Sequence, residues 1–342
     1  MKTEILFRSE AGNVTEVGTG HLFRSITIAK ILKKKYNLKK KQIKFITKNE
    51  KNFKISSKIL RQNNIYFKIY KDRLLKENSL SEIDILKKNP AKLLIIDRWG
   101  NTEKKTVLKI KKYFHKIILF DDKCKHSKYN LKVNALINNK KDKNIKKFKS
   151  LIIPSYLYKK FIKKKIKKNV KNIFLSFGGY DKNGFKKKIL KIFKKSELNL
   201  NLFIPSSLIK KTKIIKHRKL NIIYFKNKDF YKYLNMSDIS IVSGGLTQFD
   251  SLLFRIPTIC LPQYNHQLIN AKIINNFKSN LIINPNNIEK SLMYNFNNLY
   301  KSYGKRKKLI KNGKKIVNLN NIKNIINKIF KIYEKKFLRK IF

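Results

Sequence analysis

A histidine and an arginine stand where the first helical stretch of the chain begins. The segment Gly18-Thr19-Gly20 leads into His21–Lys35, whose apolar residues recur at helical spacing. Glycines let the main chain turn tightly, and the first turn of a helix carries unpaired amides and partial positive charge. Because that field disfavours the imidazolium ion, His21 would stay neutral and could accept a proton. Arg24 lies one turn further along the same face. We therefore expect a general base at His21, with a tight turn and a packing histidine as the alternative.

Two glycine pairs in the second half of the chain each follow an apolar run of strand length. A strand that ends in glycines before a helix presents main-chain amides, and such amides bind phosphate in open α/β sheets. Both pairs are candidate phosphate sites, with an ordinary strand-to-helix turn as the alternative. The pairs are Gly178-Gly179 and Gly244-Gly245.

Polar residues surround the second glycine pair. Thr247 stands where a helix should begin, and Asp250 follows three residues later. This spacing permits a capping box with a short acid. It equally permits a carboxylate that binds ribose hydroxyls, as acidic residues do in nucleotide-binding sheets. Asn265 and Gln267 follow the next strand and could contribute side-chain amides to the same site.

Acidic residues end two predicted strands of the first half. Asp97 follows the run Leu94–Ile96, and Asp121-Asp122 follows Ile117–Phe120. In a parallel sheet these positions share an edge with His21. Capping of the following turn is the alternative. Paired aspartates can bind Mg²⁺, but no further ligand cluster accompanies them, so we expect no metal site.

Strand-length apolar runs alternate with helical stretches throughout, which predicts parallel sheets covered by helices on both faces. The alternation restarts after the lysine-rich stretch 159–171. We therefore predict an α/β protein with two doubly wound domains, at residues 1–150 and 151–317. An amphipathic helix should follow at 318–342. We expect that helix to pack on the body of the protein, and its basic face leaves weak association with a membrane surface as an alternative.

The net charge of +63 arises from 83 Lys and Arg residues against 20 Asp and Glu. The basic residues are almost all lysines scattered along the chain, without the clustered arginines and interleaved aromatics of a nucleic-acid surface. We therefore expect no specific nucleic-acid partner, although a positive field attracts anionic substrates. Two distant cysteines, no long apolar run and no secretory signal pattern predict a cytoplasmic protein. We expect a monomer.

In their order along the chain, these motifs resemble those of the UDP-2,4-diacetamido-2,4,6-trideoxy-β-L-altropyranose hydrolases of pseudaminic acid biosynthesis. That family is related to the GT-B sugar-nucleotide transferases. The resemblance extends from about residue 4 to about residue 285. It rests on Arg8, Gly18-x-Gly20-His21-x-x-Arg24, Asp97, Asp121-Asp122, Phe177-Gly178-Gly179-x-Asp181, Ser243-Gly244-Gly245-x-Thr247 and Asn265-x-Gln267.

The resemblance implies two Rossmann-like domains that face a cleft. UDP would lie mainly on the second domain, with its diphosphate near Gly244 and Gly245 and its ribose near Asp250. The sugar would face the first domain, where the family's catalytic histidine corresponds to His21. No metal or cofactor is implied. Two departures matter: Asp250 replaces the glutamate usual in the family, and Trp99 replaces a tyrosine.

The resemblance implies a hydrolase that cleaves a UDP-linked deoxyamino sugar, with His21 as the base that activates water. Amides at both glycine pairs would stabilise the departing UDP. Arg24 could support a phosphate or orient the sugar, and Asp97 or Asp121 could orient His21 or bind the sugar. The alternative is a GT-B glycosyltransferase that uses the same nucleotide site and replaces water with an acceptor hydroxyl.

Overall fold

The computed structural model describes residues 2–12, 18–134, 151–162, 166–178, 181–206, 209 and 211–335. The chain divides into two compact units. Unit 1 comprises the described residues of Met1–Asn139, Lys146–Ile152 and Leu319–Phe342, and unit 2 comprises those of Ile153–Asn318. The final segment, which we had expected as a separate element, thus belongs to the same unit as the N-terminus.

Unit 1 is built on a six-stranded sheet in which every pairing is parallel. The strand order is β3-β2-β1-β4-β5-β6, so the chain reverses its direction of winding between β1 and β4. The central strands are buried along almost their whole length because helices cover both faces. The strands are β1 Ile5–Ser9, β2 Ile43–Lys48, β3 Tyr66–Tyr70, β4 Ala91–Asp97, β5 Phe114–Phe120 and β6 Leu131–Val133.

The helices of unit 1 follow the strands in the predicted alternation. They are α1 Gly20–Lys35, α2 Lys54–Gln62, α3 Leu80–Lys87 and α4 Lys104–Ile110, joined by the C-terminal helix α11 Leu319–Glu334. The first helix begins one residue before the predicted start. Its Leu22, Ile26, Ala29 and Leu32 are all buried, as the helical spacing predicts.

The C-terminal helix packs on unit 1 through one apolar face. The rings of Phe330 and Tyr333 contact Tyr36 at centroid distances of 5.7 and 4.6 Å. The face is formed by Ile322, Ile325, Ile326, Ile329 and Tyr333, which are all buried. The weak association with a membrane surface that we gave as an alternative stays a prediction. Residues 336–342 of the predicted helix lie outside the described residues.

Unit 2 is built on a seven-stranded sheet of order β13-β12-β11-β7-β8-β10-β9. Here the direction of winding reverses between β7 and β11. All pairings are parallel except that of the edge strand β9, which runs antiparallel to β10 and was not predicted. The strands are β7 Asn172–Ser176, β8 Leu200–Ser206, β9 Lys213–His217, β10 Leu220–Lys226, β11 Ile239–Val242, β12 Thr258–Cys260 and β13 Leu281–Ile282.

Six helices complete unit 2, and a large apolar core lies between them and the sheet. They are α5 Phe185–Lys195, α6 Phe230–Met236, α7 Leu246–Leu253, α8 Asn265–Asn276, α9 Ile288–Lys301 and α10 Tyr303–Ile316. Among the helices of the described residues, none is both long and apolar enough to cross a bilayer.

Candidate active site

The switch point of the unit 1 sheet brings His21 and Asp97 together. His21 is the second residue of α1, which follows β1, and Asp97 is the last residue of the neighbouring strand β4. In open α/β sheets, ligands bind at the carboxyl ends of strands where the winding reverses. His21 Nδ1 lies 2.8 Å from Asp97 Oδ1, and the histidine side chain keeps 12% of its surface exposed. A polar pair thus stands at the position where this class of sheet binds ligands.

Asp97 is completely buried, and its carboxylate is surrounded by donors. Arg24 donates from Nε to Oδ2 at 2.9 Å and from Nη2 to Oδ1 at 2.6 Å. The Ser25 hydroxyl donates to Oδ2 at 3.1 Å. Burial by itself would raise the pKa of Asp97, but the charge and hydrogen bonds of Arg24 and the bond with His21 outweigh it and hold the pKa at about 2. Asp97 is therefore an anion at any physiological pH.

The ionised carboxylate decides which ring nitrogen of His21 carries the proton. A carboxylate only accepts hydrogen bonds, so Nδ1 must be the donor in the 2.8 Å contact with Asp97. Arg24 Nη2 lies 3.3 Å from the same nitrogen, but both are then donors, so that contact is not a bond. The neutral ring keeps its lone pair on Nε2, for which the described part of the chain offers no partner. This nitrogen can accept a proton from a ligand.

Arg24 differs from our expectation that it could contact a phosphate or the sugar. It is 1% exposed, and its Nη1 donates to Asp121 Oδ2 at 2.5 Å. Its guanidinium lies 5.1 Å from the ring centre of Phe120. Burial would lower the pKa of Arg24, but the two carboxylates raise it above its usual value. The structure thus makes Arg24 a bridge between Asp97 and Asp121 inside the protein.

The two adjacent aspartates after β5 point to different partners. Asp121 has a left-handed backbone with φ of +47°, which aspartate tolerates better than most residues but which still costs on the order of 1 kcal/mol. Asp122 instead accepts hydrogen bonds from Thr102 and from the Cys124 amide. Asp122 therefore stabilises the loop that leads into α4. In the described ranges there is no group of three or more His, Cys, Asp or Glu residues that could hold a metal.

The glycines around the start of α1 and the buried Arg8 also belong to the predicted motifs of unit 1. Gly18 is exposed, has no atom within 4 Å of a Cβ placed on it, and does not have positive φ, so the chain path alone does not require glycine there. Gly20 opens α1. Arg8 is buried and donates to Glu10 and Glu82 at 2.8 and 2.9 Å. Arg8 therefore supports the interior of unit 1 and stays apart from the contacts of His21.

The glycines of unit 2 lie at its own switch point. Gly178 follows β7, and Gly244 follows β11, the strand next to it across the reversal. Gly178 is exposed, with φ of +74°, a conformation that favours glycine. Gly245 forms the N-cap of α7, and a Cβ placed there would meet nothing closer than 3.9 Å. The amides at the start of α7 are therefore approachable. The predicted site residue Gly179 lies outside the described residues.

Thr247, Asn265 and Gln267 occupy different environments. The helix α7 begins at Leu246 with Gly245 as its cap, so Thr247 is its second residue and the capping box with Asp250 does not form. Asn265 is exposed as the first residue of α8. Gln267 is buried and its Oε1 accepts from the Gln263 amide at 2.9 Å. Gln267 thus orders the loop before α8.

Asp250 is enclosed in unit 2. It is 3% exposed, and its Oδ1 accepts a hydrogen bond from the Ser155 amide at 3.1 Å. Burial raises the pKa of Asp250 to about 7, although hydrogen bonds from Ser155 and Tyr231 work in the opposite direction. The predicted ribose contact stays a prediction, and it would require this carboxylate to become accessible.

Two supporting residues were not identified from the sequence. Ser25 adds a fourth hydrogen bond to Asp97, and Gln248 donates from Nε2 to the Gly244 carbonyl at 2.7 Å. Each stands beside a residue that we had singled out, Ser25 after Arg24 and Gln248 after Thr247. The sequence did offer a signal for both: each is a polar residue next to a motif, at a helix position that should face the interior of the protein.

Comparison with known proteins identifies the fold. No family model matches the sequence. An uncharacterized protein of Methanocaldococcus jannaschii, MJ1062, is 29% identical over 280 residues, which cover 72% of this chain and 54% of that relative. The chain thus spans about half the length of the curated relative that it matches.

Solved structures of similar architecture cover nearly the whole chain. MurG of Acinetobacter baumannii is 13% identical with a TM-score of 0.57, covering 97% of this chain and 100% of its own. The spinosyn rhamnosyltransferase SpnG complexed with thymidine diphosphate is 10% identical, with a TM-score of 0.53 and coverage of 95% and 100%. A proposed UDP-N-acetylglucosamine 2-epimerase of Listeria monocytogenes is 10% identical, with a TM-score of 0.56 and coverage of 98% of both chains. With its two Rossmann-like units, the chain has the GT-B fold.

Proposed function

We propose that this protein is a hydrolase that cleaves a UDP-linked deoxyamino sugar into free sugar and UDP. The observation that carries the proposal is the contact of His21 Nδ1 with Asp97 Oδ1 at 2.8 Å. It assigns the proton to Nδ1 and leaves the lone pair of Nε2 on a part-exposed ring. His21 is then equipped to take a proton from water as the water attacks the anomeric carbon.

We assign the nucleotide to unit 2 because of the two glycine turns at its neighbouring strand ends. The helix α7 starts at Gly245 with approachable amides, and Gly178 places a second glycine turn at the neighbouring strand end. Helix N-termini of this kind stabilise the negative charge that grows on a leaving diphosphate. SpnG was solved with thymidine diphosphate, and the Listeria protein is named for UDP-N-acetylglucosamine. By analogy of fold, these two proteins support a nucleotide-linked sugar as the substrate. The deoxyamino sugar rests on the motif resemblance.

A glycosyltransferase is the second candidate. Several proteins of the same fold are named as glycosyltransferases, including the rhamnosyltransferase SpnG and the calicheamicin glycosyltransferase CalG4. The geometry at His21 serves this reaction equally, because Nε2 can take a proton from an acceptor hydroxyl as well as from water. The two candidates differ in whether UDP leaves without an acceptor.

The experiment is UDP release from a panel of UDP-deoxyamino sugars, measured with and without candidate acceptors. For a hydrolase we expect release in buffer alone, and release only on addition of an acceptor identifies a transferase. His21→Ala should lower the rate by ~10²–10⁴-fold, the usual contribution of a positioned general base. It should leave UDP affinity unchanged. His115→Ala is the matched control, since His115 is exposed on β5. Near-normal turnover of the His21 variant would reject the assignment.

A further inference from the structure

We propose that Asp121 is a positioning residue that sets the charge of the buried cluster behind His21, acting through Arg24 without touching the histidine. The inference rests on the proposed function, because it assigns Asp121 a part in the basicity of His21. Of the two roles that we expected for Asp121, orienting His21 or binding the sugar, it takes up the first and makes it indirect.

The geometry is a chain of three buried groups. Arg24 uses Nε and Nη2 for Asp97 and Nη1 for Asp121, at 2.9, 2.6 and 2.5 Å. All three side chains are at most 1% exposed. Nη2 and Nη1 of the planar guanidinium thus reach separate carboxylates, so the positions of Asp97 and Asp121 are coupled.

The charge count explains why a second carboxylate matters. Asp97 and Arg24 alone would form a neutral pair behind His21. With Asp121 the cluster carries one net negative charge while the imidazole is neutral. When His21 accepts a proton, the imidazolium makes the whole cluster neutral. Because the groups are shielded from water, this compensation is stronger than between exposed charges.

The backbone holds Asp121 in this role. Its left-handed conformation directly follows the last residue of β5, and its amide donates to the Val133 carbonyl at 2.8 Å. Asparagine tolerates the same conformation and is nearly the same shape. An Asp121→Asn variant therefore removes the charge while keeping an oxygen that can accept from Arg24.

The other charged groups near the switch point have partners of their own. Asp122 bonds to Thr102 and Cys124, and Glu10 pairs with Arg8 and lies 3.6 Å from Lys48. Among the described residues, the charged groups in contact with the His21 ring are Asp97 on β4 and Arg24 on α1 itself. Asp121, the residue that follows β5, joins them through Arg24.

The test compares pH–rate profiles of UDP release. In Asp121→Asn the imidazolium loses its compensating charge, so we expect the acidic limb to move to lower pH by about one unit. The weaker base should also lower the plateau kcat about 10-fold, with KM unchanged. Asp122→Asn is the matched control, because it weakens the loop contacts without entering the cluster, and its limb should stay in place. An acidic limb that does not move in Asp121→Asn overturns the proposal.

A second measurement needs no substrate. In protein labelled with ¹⁵N-histidine, NMR separates the imidazolium from the Nδ1–H form, and His21→Gln assigns the signal among the five histidines. At a fixed mildly acidic pH, Asp121→Asn should hold several-fold less imidazolium at His21 than the wild type. An unchanged fraction contradicts the inference about Asp121. A lower fraction in a protein that releases no UDP from any donor supports it while refuting the proposed function.

Discussion

Gly244 lies directly against the main chain of Gln267. A Cβ placed on Gly244 would stand 2.5 Å from the carbonyl oxygen of Gln267 and 2.8 Å from its carbonyl carbon. Both atoms belong to the backbone of α8, so neither can turn away as a side chain would. The close approach brings the starts of α7 and α8 to one end of the unit 2 sheet. Glycine at 244 is therefore a requirement of packing.

The two glycines of this pair should respond differently to alanine. Gly244→Ala forces the helices apart, and we expect it to cost about 1–3 kcal/mol of stability, the usual price of overpacking. Gly245→Ala meets no atom closer than 3.9 Å, so its stability should be that of the wild type. Its methyl group would instead stand beside the amides assigned to the diphosphate and weaken UDP binding about 10-fold.

Scanning calorimetry and titration calorimetry with UDP measure the two effects separately. The expected pattern is a lower Tm for Gly244→Ala, and an unchanged Tm with a raised Kd for Gly245→Ala. If Gly245→Ala binds UDP as tightly as the wild type, the amides at the start of α7 do not hold the nucleotide.

Much of the fold could be predicted because buried parallel strands are apolar along their length. Every residue of the run Ile239–Val242, for example, is buried, as its sequence implies. The edge strand Lys213–His217 was missed for the opposite reason. Its side chains are largely exposed, so no burial pattern distinguishes it from a loop, and lysines at an edge are typical of strands that avoid further pairing. Strand order was also out of reach, because it depends on contacts distant in sequence.

The candidate site was predictable in its location but less so in its internal contacts. Strand ends placed both Asp97 and Asp121 on the edge of the sheet that carries His21, but the sequence did not decide which carboxylate contacts the ring, and the structure shows that it is Asp97. We expected Arg24 to support a phosphate or to orient the sugar, because its spacing from His21 does not reveal that it is buried. The largest fully buried side chains are, however, Arg8, Arg24 and Arg306. The planar guanidinium can satisfy several buried acceptors at once, which lysine cannot do in the same way.

The buried carboxyl of Asp250 should make the stability of unit 2 depend on pH. Its folded pKa of about 7 lies above the ordinary value of 3.8, so the folded state holds the proton more tightly than the unfolded state. The resulting stabilisation is fully present below pH 3.8 and is lost as the pH rises through 7. Asp250→Asn cannot ionise and should be more stable than the wild type at pH 9, by on the order of a few kcal/mol.

Calorimetric Tm values for both proteins between pH 5 and pH 9 check this expectation. The difference between variant and wild type should grow as the pH rises from 5 to about 7 and should level off above that pH. Glu197→Gln is the control, since the ion pairs of Glu197 with Arg218 and Lys219 are exposed. A difference for Asp250→Asn that is constant across the pH range would show that this carboxyl titrates as it does in the unfolded chain.

Tyr333 on α11 should be a main determinant of unit 1 stability. Its ring packs 4.6 Å from Tyr36 and under the Lys92 ammonium at 4.2 Å, and its hydroxyl lies 3.3 Å from Glu4 Oε2. Truncation to alanine leaves a cavity between the last helix and the first residues of the chain, and we expect a loss of about 3 kcal/mol. Tyr333→Phe removes only the hydroxyl contact and should cost less than about 1.5 kcal/mol.

Urea unfolding followed by Trp99 fluorescence measures these losses, because Trp99 is the only tryptophan in the chain and belongs to unit 1. The midpoint should fall strongly for Tyr333→Ala and little for Tyr333→Phe. Lys331→Ala, an exposed substitution on the same helix, should leave it unchanged. Equal midpoints for Tyr333→Ala and Lys331→Ala would mean that α11 contributes little to unit 1. Its apolar face would then be available for the weak membrane-surface association that the sequence leaves as an alternative.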